Sequence, residues 1–430
     1  MKTKYKFLFL ILFVSALANA QSINMRFSTQ FYSWERADSI NTDSRTAHIR
    51  GYQNLLLDVQ KNKWGFNTLI QTEEDVINKV DKGFNYRFYN LYLKGTNLFN
   101  VLDLKLGRQY LFAGVGKGAI DGLNLKLKTG KNKEFQFSGY GGALTPGDYE
   151  IRDYPSLSDN YIFGGIFSYY GVRDFNASIS YMNKHRKPEP YNAERFDDSL
   201  FAVKNVIIDI ASPADQLAGV DFNYSHKKKH FFYGKAYFDI NNNVFYKGEI
   251  NANISLRNNL RLTAFYEYRE PQISYNTIFW TFSHKQYQEV GGGLDYTLKN
   301  GINIYGKVSD VIYTDDNSLK IQAGFSHPSY GLSYTKYTGY AGESDGAYGY
   351  LYREIVRSKL SANLGISYSS YNIGDYSSEK ENAFSGSLGF TFRPAPRFSV
   401  DLQGQFITNK IYKYDTRFLL GLNFWLFKKY

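Results

Sequence analysis

The chain has 430 residues, 43% of them hydrophobic and 21% charged, with a formal net charge of +11 and no cysteine. The missing cysteines exclude a disulfide framework. The charge excess is modest for this length and no nucleic-acid motif accompanies it, so nucleic acid is not an expected partner.

Residues 1–20 read as an export signal. Lys2, Lys4 and Lys6 make a basic start, Phe7 to Val14 is unbroken apolar, and Ala18-Asn19-Ala20 is a small-x-small cleavage site. A spanning helix needs about 20 apolar residues, more than this run supplies. The expected mature chain begins at Gln21 and forms one domain over 21–430. No cysteine follows the cleavage site, which excludes a lipoprotein anchor.

The rest of the chain is aromatic without being greasy. It holds 39 Tyr, 34 Phe and 4 Trp, 18% of all residues, yet the mean hydropathy is −0.43. From residue 23 to 428 apolar and polar residues alternate with period 2, in segments of about 9–13 residues, the length of a tilted membrane strand. Only alternate side chains of such a strand face lipid, so the average hides the apolar band. The expected fold is all-β: a transmembrane antiparallel up-and-down barrel of about 22 strands, or 18 to 20 where doubtful links such as Asn241-Asn242-Asn243 merge. An array of soluble β-sandwiches is the structural alternative, but no linker or repeat unit appears.

Connections of two kinds alternate. One kind is short and basic, as at Lys61-Asn62-Lys63, Lys131-Asn132-Lys133, Lys227-Lys228-Lys229 and Arg357-Ser358-Lys359. The other is longer and more acidic, as at 36–46, 72–83, 144–160, 185–216, 270–285, 339–346 and 372–382. Outer-membrane barrels have short periplasmic turns and longer outer loops, and an N-terminus in the periplasm fits that parity.

The stretch LDLKLGRQYLFAGVGKGAIDGLNLKLKTG, residues 102–130, is more specific. A strand ending Leu-Gly-Arg-Gln, a glycine-rich loop and a return strand opened by Asp-Gly resembles a recurring hairpin of Gram-negative porins, the alginate-export-like outer-membrane proteins above all. The resemblance implies a monomeric pore of about 18 strands with loops partly closing the lumen. Export members of that group line the pore with excess cations for an anionic polymer. One register serves both faces of this hairpin. Leu102 meets Leu127, Leu104 meets Leu125 and Leu106 meets Leu123, while Asp103 meets Lys126 and Gly107 meets Gly122. The same register pairs Arg108 with Asp121. Strict alternation would place that pair toward lipid, so either it sits at the outer rim or a bulge at Gly107 turns it inward. A structural clamp is the simpler role, contact with solute the other.

The longest connection, 185–216, has an apolar middle, FAVKNVIIDI. Long structureless loops are uncommon unless functional. The segment is expected to fold into the pore mouth, with Lys187, Arg195, Asp197 and Asp198 near the narrowest point, or else to form an extra strand pair. The last strand, RFLLGLNFWLFKKY, alternates and ends on Tyr430, which resembles the C-terminal signal read by the barrel-assembly machinery; Lys428 departs from that pattern.

If the apolar face meets lipid, the lumen residues follow. The bases are Arg26, Arg50, Lys105, Lys126, Lys235, Lys247, Arg261, Arg269, Lys307 and Lys320, and the acids Asp58, Asp103, Asp221, Asp239, Glu249, Glu267, Asp295 and Asp401. Such a nearly balanced set departs from a cationic export pore. Facing rows of opposite charge orient small polar solutes without tight binding. Tyr32, Tyr52, Tyr233, Tyr237 and Tyr305 share that face, and a sugar path would use them. None of the six histidines falls in a catalytic or metal-ligand spacing, and no P-loop, zincin or nucleophile-elbow motif is present, so neither catalytic residue, metal nor cofactor is expected. The expected function is a passive, weakly selective outer-membrane channel for small hydrophilic solutes. A structural, adhesive or secretion-associated barrel is the alternative, and a barrel enzyme a more distant one.

Overall fold

The computed structural model describes residues 21–429 apart from 39–45, 81–82, 152–153, 155, 189, 198–200, 210–213, 272–285, 315, 340–342 and 373–378. The export signal, Asp198 and Tyr430 therefore lie outside the described residues.

The alternating segments become strands. The first six are β1 (Ser22–Asp38), β2 (Ala47–Lys61), β3 (Trp64–Ile77), β4 (Phe84–Leu98), β5 (Leu102–Ala113) and β6 (Gly116–Thr129). Next come β7 (Phe135–Leu144), β8 (Asn160–Tyr169), β9 (Phe175–Arg186), β10 (Tyr191–Asp197), β11 (Ala202–Ile208) and β12 (Asp215–His226). They are followed by β13 (His230–Asp239), β14 (Val244–Arg257), β15 (Leu260–Arg269), β16 (Tyr287–Thr297), β17 (Asn303–Tyr313) and β18 (Asn317–His327). The chain ends with β19 (Tyr330–Gly339), β20 (Ser344–Val356), β21 (Leu360–Tyr371), β22 (Glu381–Ala395), β23 (Phe398–Thr408) and β24 (Tyr412–Lys429).

Twenty-two of these form one antiparallel sheet, and β10 and β11 form a separate pair. β9 is bonded directly to β12, and β1 to β24 from Ser22↔Lys429 to Asp38↔Tyr412, which closes the sheet into a barrel with no free edge. The resemblance to an 18-stranded pore is thereby corrected to 22 strands. The link at 241–243 is a true turn between β13 and β14, so those strands do not merge.

Two faces alternate along every strand. On one, Phe163, Ile179, Val220, Ile250, Leu294 and Val308 stand about half exposed. That face suits hydrocarbon, because in water it would be a continuous apolar belt. The other carries Ser180, Asp221, Glu249, Asp295 and Lys307 and surrounds the lumen. At one end the strands join by tight turns, where Asn62, Asn97, Asn100, Lys227 and Lys228 adopt positive φ between 51° and 64°. The longer connections gather at the other end. The largest buried apolar cluster joins Leu111, Val115 and Ile120 to Tyr140, Leu144, Ile162, Met182, Leu217 and Tyr237. It exists because one hairpin leaves the wall.

Candidate functional site

β5 pairs with β4 only from Leu102 to Arg108, whereas its ladder with β6 runs unbroken to Ala113↔Gly116. Beyond Arg108 the β5–β6 tip therefore departs from the wall. It meets strands far round the barrel. Val115 N donates to Ser180 Oγ of β9 at 3.1 Å, and a Cβ added to Gly219 of β12 would lie 2.5 Å from Val115 Cγ1. From β6 to β13 is five strand spacings, roughly 25 Å of wall. The register fixes which side the tip touches. Ile166, Ser180, Gly219 and Tyr237 are in-register neighbours, and they alternate with outward-facing Ile179 and Val220. The hairpin thus crosses the inside of the barrel and docks on its inner face. Small residues at Ser180 and Gly219 make the berth.

The Leu-Gly-Arg-Gln stretch is the hinge. Gly107 has φ +121°, and a Cβ there would meet Leu91 O at 2.3 Å, so only glycine fits. The positive φ re-aims Arg108, whose side chain is only 3% exposed. Its guanidinium pairs with Asp121 at 2.9 Å and donates to the carbonyls of Phe88 (3.3 Å) and Glu150 (3.2 Å), to Tyr149 O, and to Tyr154 Oη (2.8 Å). Tyr154 in turn donates to Asp121, and burial together with that bond pushes its phenol up, so it stays a neutral donor. Phe88 N donates to Tyr149 O, placing the connection 145–159 against β4 where β5 has left. Gln109 folds back and donates to the carbonyls of Lys105 and Gly122 at 3.3 Å. The Arg108–Asp121 pair is therefore a buried hinge clamp and not an exposed rim contact. No register shift occurs on the β6 side; the glycine kink does what a bulge was expected to do.

The hairpin has two faces. Gln109, Leu111 and Ile120 lie toward the wall and are at most 1% exposed. The opposite face carries Tyr110 and Phe112, 56% and 80% exposed, with Lys117 Nζ 5.5 Å from the Phe112 ring. These three residues were not singled out in the sequence. Reading them required knowing that the outward face of β5 turns into the lumen.

Around the wall, lumen charges come in pairs. Arg50 holds Asp75 (3.0 Å), Arg87 holds Glu73 (2.8 Å) and Lys94 holds Asp58 (2.7 Å) on β2, β3 and β4. Glu249, Glu267 and Glu289 are adjacent in register on β14, β15 and β16, and like charges so placed repel. Lys247 relieves this by reaching Glu249 (3.2 Å) and Glu267 (3.7 Å), Lys235 reaches Glu249 (3.1 Å), and Lys320 reaches Glu289 (3.5 Å). Arg269 is the in-register neighbour of Lys247 and Tyr287 and is exposed.

The remaining expected lumen residues have individual settings. Arg26 donates to Asn423 (3.2 Å) and Lys105 lies 5.2 Å from the Tyr92 ring. Asp103 faces Lys126 in register but is ion-paired with Lys128. Asp221 accepts from Tyr237 (2.9 Å), and Asp401 from Thr391 (2.7 Å) and Asn423 (2.6 Å). Arg261 is opposite Asp295, and Lys307 lies between Gly293 and Gln322. Asp239 ends β13, opposite Leu217 and Val244, and also caps the 241–243 turn, accepting from Asn242 N (3.1 Å) and Nδ2 (2.9 Å). Glu73 and Asp75 lie in the acidic stretch after Thr72 that the sequence places in a loop. β3 in fact continues to Ile77, and the polar alternation Gln71, Glu73, Asp75 was the available signal.

The connection 185–216 takes the second of its two expected forms, an extra strand pair. Its apolar middle supplies β11, which pairs with the more polar β10, with Arg195 opposite Lys204 and Asp197 opposite Ala202. Lys187 ties its base to Asp209 at 3.0 Å. Phe196, Phe201, Val203 and Ile207 are 57% to 85% exposed, and no residue of the pair enters the buried lumen cluster. The β5–β6 tip, docked on the inner wall, narrows the lumen.

No protein-family model matches this sequence, and no curated protein matches it. Among solved structures the chain is similar in outline to OccAB4 of Acinetobacter baumannii, with 9% identity, a TM-score of 0.44, and coverage of 94% of this chain and 98% of that one. OccK2 (OpdF) of Pseudomonas aeruginosa gives 8% identity and a TM-score of 0.42 over 94% and 98%. OpdQ of the same organism gives 10% and 0.42 over 94% and 97%.

Proposed function

We propose that the protein is a passive outer-membrane channel for small hydrophilic solutes, with weak ion preference. The observation that carries this reading is a closed barrel, apolar outside, whose inner wall bears paired charges and whose lumen is narrowed by its own hairpin. Lumen side chains keep access to water. Lys235, Lys247, Glu249 and Lys320 are each 18% to 27% exposed despite their ion pairs. Near-balance of bases and acids supports weak selectivity, since a strongly selective pore needs a dominant ring of one sign. Exposed Tyr110 and Phe112 beside Lys117 offer an apolar surface next to a cation at the narrowing. The last strand is read as the segment offered to the barrel-assembly machinery, residues 1–20 as a cleaved signal, and membrane lipid as the outer partner. Kinship with alginate-export-like porins rests on residues 102–130 alone, and the balanced lumen argues against an anionic polymer as cargo.

The test is purified protein in a planar bilayer under a salt gradient. Stepwise conductance with a reversal potential near zero is expected. Turnover of a substrate without conductance, or partner binding without conductance, would replace the channel with an enzyme or an adhesive barrel.

A further inference from the structure

The two ends of the barrel differ in how their charges are held. At the long-loop end several cations are ion-paired: Lys187 to Asp209, Lys380 to Glu343 and Lys410 to Glu381, at 2.7 to 3.2 Å. At the tight-turn end Arg173 and Lys128 have carboxylate partners, but most cations do not. Lys61, Lys131, Lys227, Lys299, Lys359 and Arg397 stand exposed on six different turns spread around the barrel, and none has an ion-pair partner among the described residues. Neighbours add to the ring, with Lys228 and Lys229 beside Lys227. The few acids there are engaged elsewhere. Glu134 accepts from Asn132 N at 2.8 Å and is held below the usual carboxylate range by such backbone bonds, Glu354 accepts from Ser358 N at 2.5 Å, and Asp174 lies 3.7 Å from Arg173.

Just above these turns runs a girdle of exposed aromatic residues on the lipid-facing side. Trp64, Phe135, Tyr330 and Phe392 are 38% to 46% exposed. Aromatic rings at this level mark the boundary between hydrocarbon and headgroups. Lysine stems one or two residues further on reach the phosphate layer with their ammonium groups.

We propose that this cation ring binds the phosphate-bearing headgroups of anionic phospholipids in the leaflet at the tight-turn end. The distribution of these cations points to a lipid. A globular partner would need a patch on one side, whereas a ring on turns from β2–β3 to β22–β23 matches only something that surrounds the barrel, and a lipid leaflet does. Each lysine or arginine near an anionic surface adds attraction that falls off within a Debye length. The ring therefore anchors the barrel's depth and orientation. This inference rests on the reading that the barrel spans a bilayer, which the experiment scores separately.

The full-length mature barrel is inserted into phosphatidylcholine vesicles and into vesicles with a share of phosphatidylglycerol, and its denaturant midpoint is followed by gel mobility. A K61Q/K131Q/K227Q/K228Q/K229Q/K359Q variant is compared with the same set changed to arginine. Insertion in both lipids, a higher midpoint with phosphatidylglycerol, loss of most of that rise in the glutamine variant or in high salt, and its retention in the arginine variant are expected. Inorganic phosphate added to phosphatidylcholine vesicles should give no rise; an equal rise would mean the site reads free phosphate and not headgroups. Normal insertion with the same midpoint in both lipids would overturn the lipid ring while leaving the barrel in the membrane. Failure to insert into either lipid would overturn the membrane reading and the ring with it.

Discussion

The β5–β6 and β10–β11 hairpins both arise at the long-loop end, and both have apolar residues to bury. One folds into the lumen; the other pairs only with itself and joins no strand of the wall. Apolar content does not separate them, since FAVKNVIIDI is the greasier of the two. What separates them is a hinge and a berth. β5 has Gly107 at φ +121°, an arginine that ties the departing strand to three carbonyls, and a wall where Ser180 and Gly219 leave room for Val115. β10–β11 satisfies its backbone by pairing with itself, so nothing forces its side chains inward.

The largest effect should come from the hinge glycine. Gly107→Val would put a branched side chain at a forbidden φ with a 2.3 Å backbone contact, and folding yield in detergent should fall to near nothing. Arg108→Met should destabilise the barrel by about 3–5 kcal/mol in urea titrations, because Asp121 and the hinge carbonyls lose their donor. Reversing both charges should not rescue it. An aspartate at position 108 would face the carbonyls of Phe88, Tyr149 and Glu150, and swapping the pair cannot serve them.

Leu111→Ala should cost about 2–4 kcal/mol and loosen the docked tip, read as noisier and larger single-channel currents. Lys117→Glu on the channel-facing side should shift the reversal potential toward cation preference with little change in stability. The smallest effect belongs to the outer hairpin. Phe196→Ser with Phe201→Ser should alter stability by no more than about 0.5 kcal/mol, since both rings are already exposed.

Much of the barrel was legible because its signals are local. Period-2 alternation marks each strand, and the β5–β6 register could be read from Leu102–Leu127 and Asp103–Lys126 because both faces agree. Period-2 alternation likewise grouped Lys235, Glu249 and Lys247 on one face, and the register keeps them together. The infolding was not legible. Its berth is assembled from Ile162, Ser180, Gly219 and Tyr237, which are distant in sequence and individually ordinary. The position of Gly107 raised the possibility of an inward turn, but nothing local said where the strand would land. The segment 185–216 was legible only as a choice: its apolar, β-rich sequence fits both a pore-mouth fold and an extra strand pair, and a strand pair is what forms.

The account's central claim is that the β5–β6 tip, and not β10–β11, sets the width of the channel. It is tested most directly by two deletions compared in planar bilayers, residues 110–118 replaced by a short turn and residues 190–208 removed, each shown to fold by gel mobility. Removal of the tip is expected to raise single-channel conductance several-fold, and removal of the outer pair to leave it unchanged. A rise with the second deletion and none with the first would contradict the account.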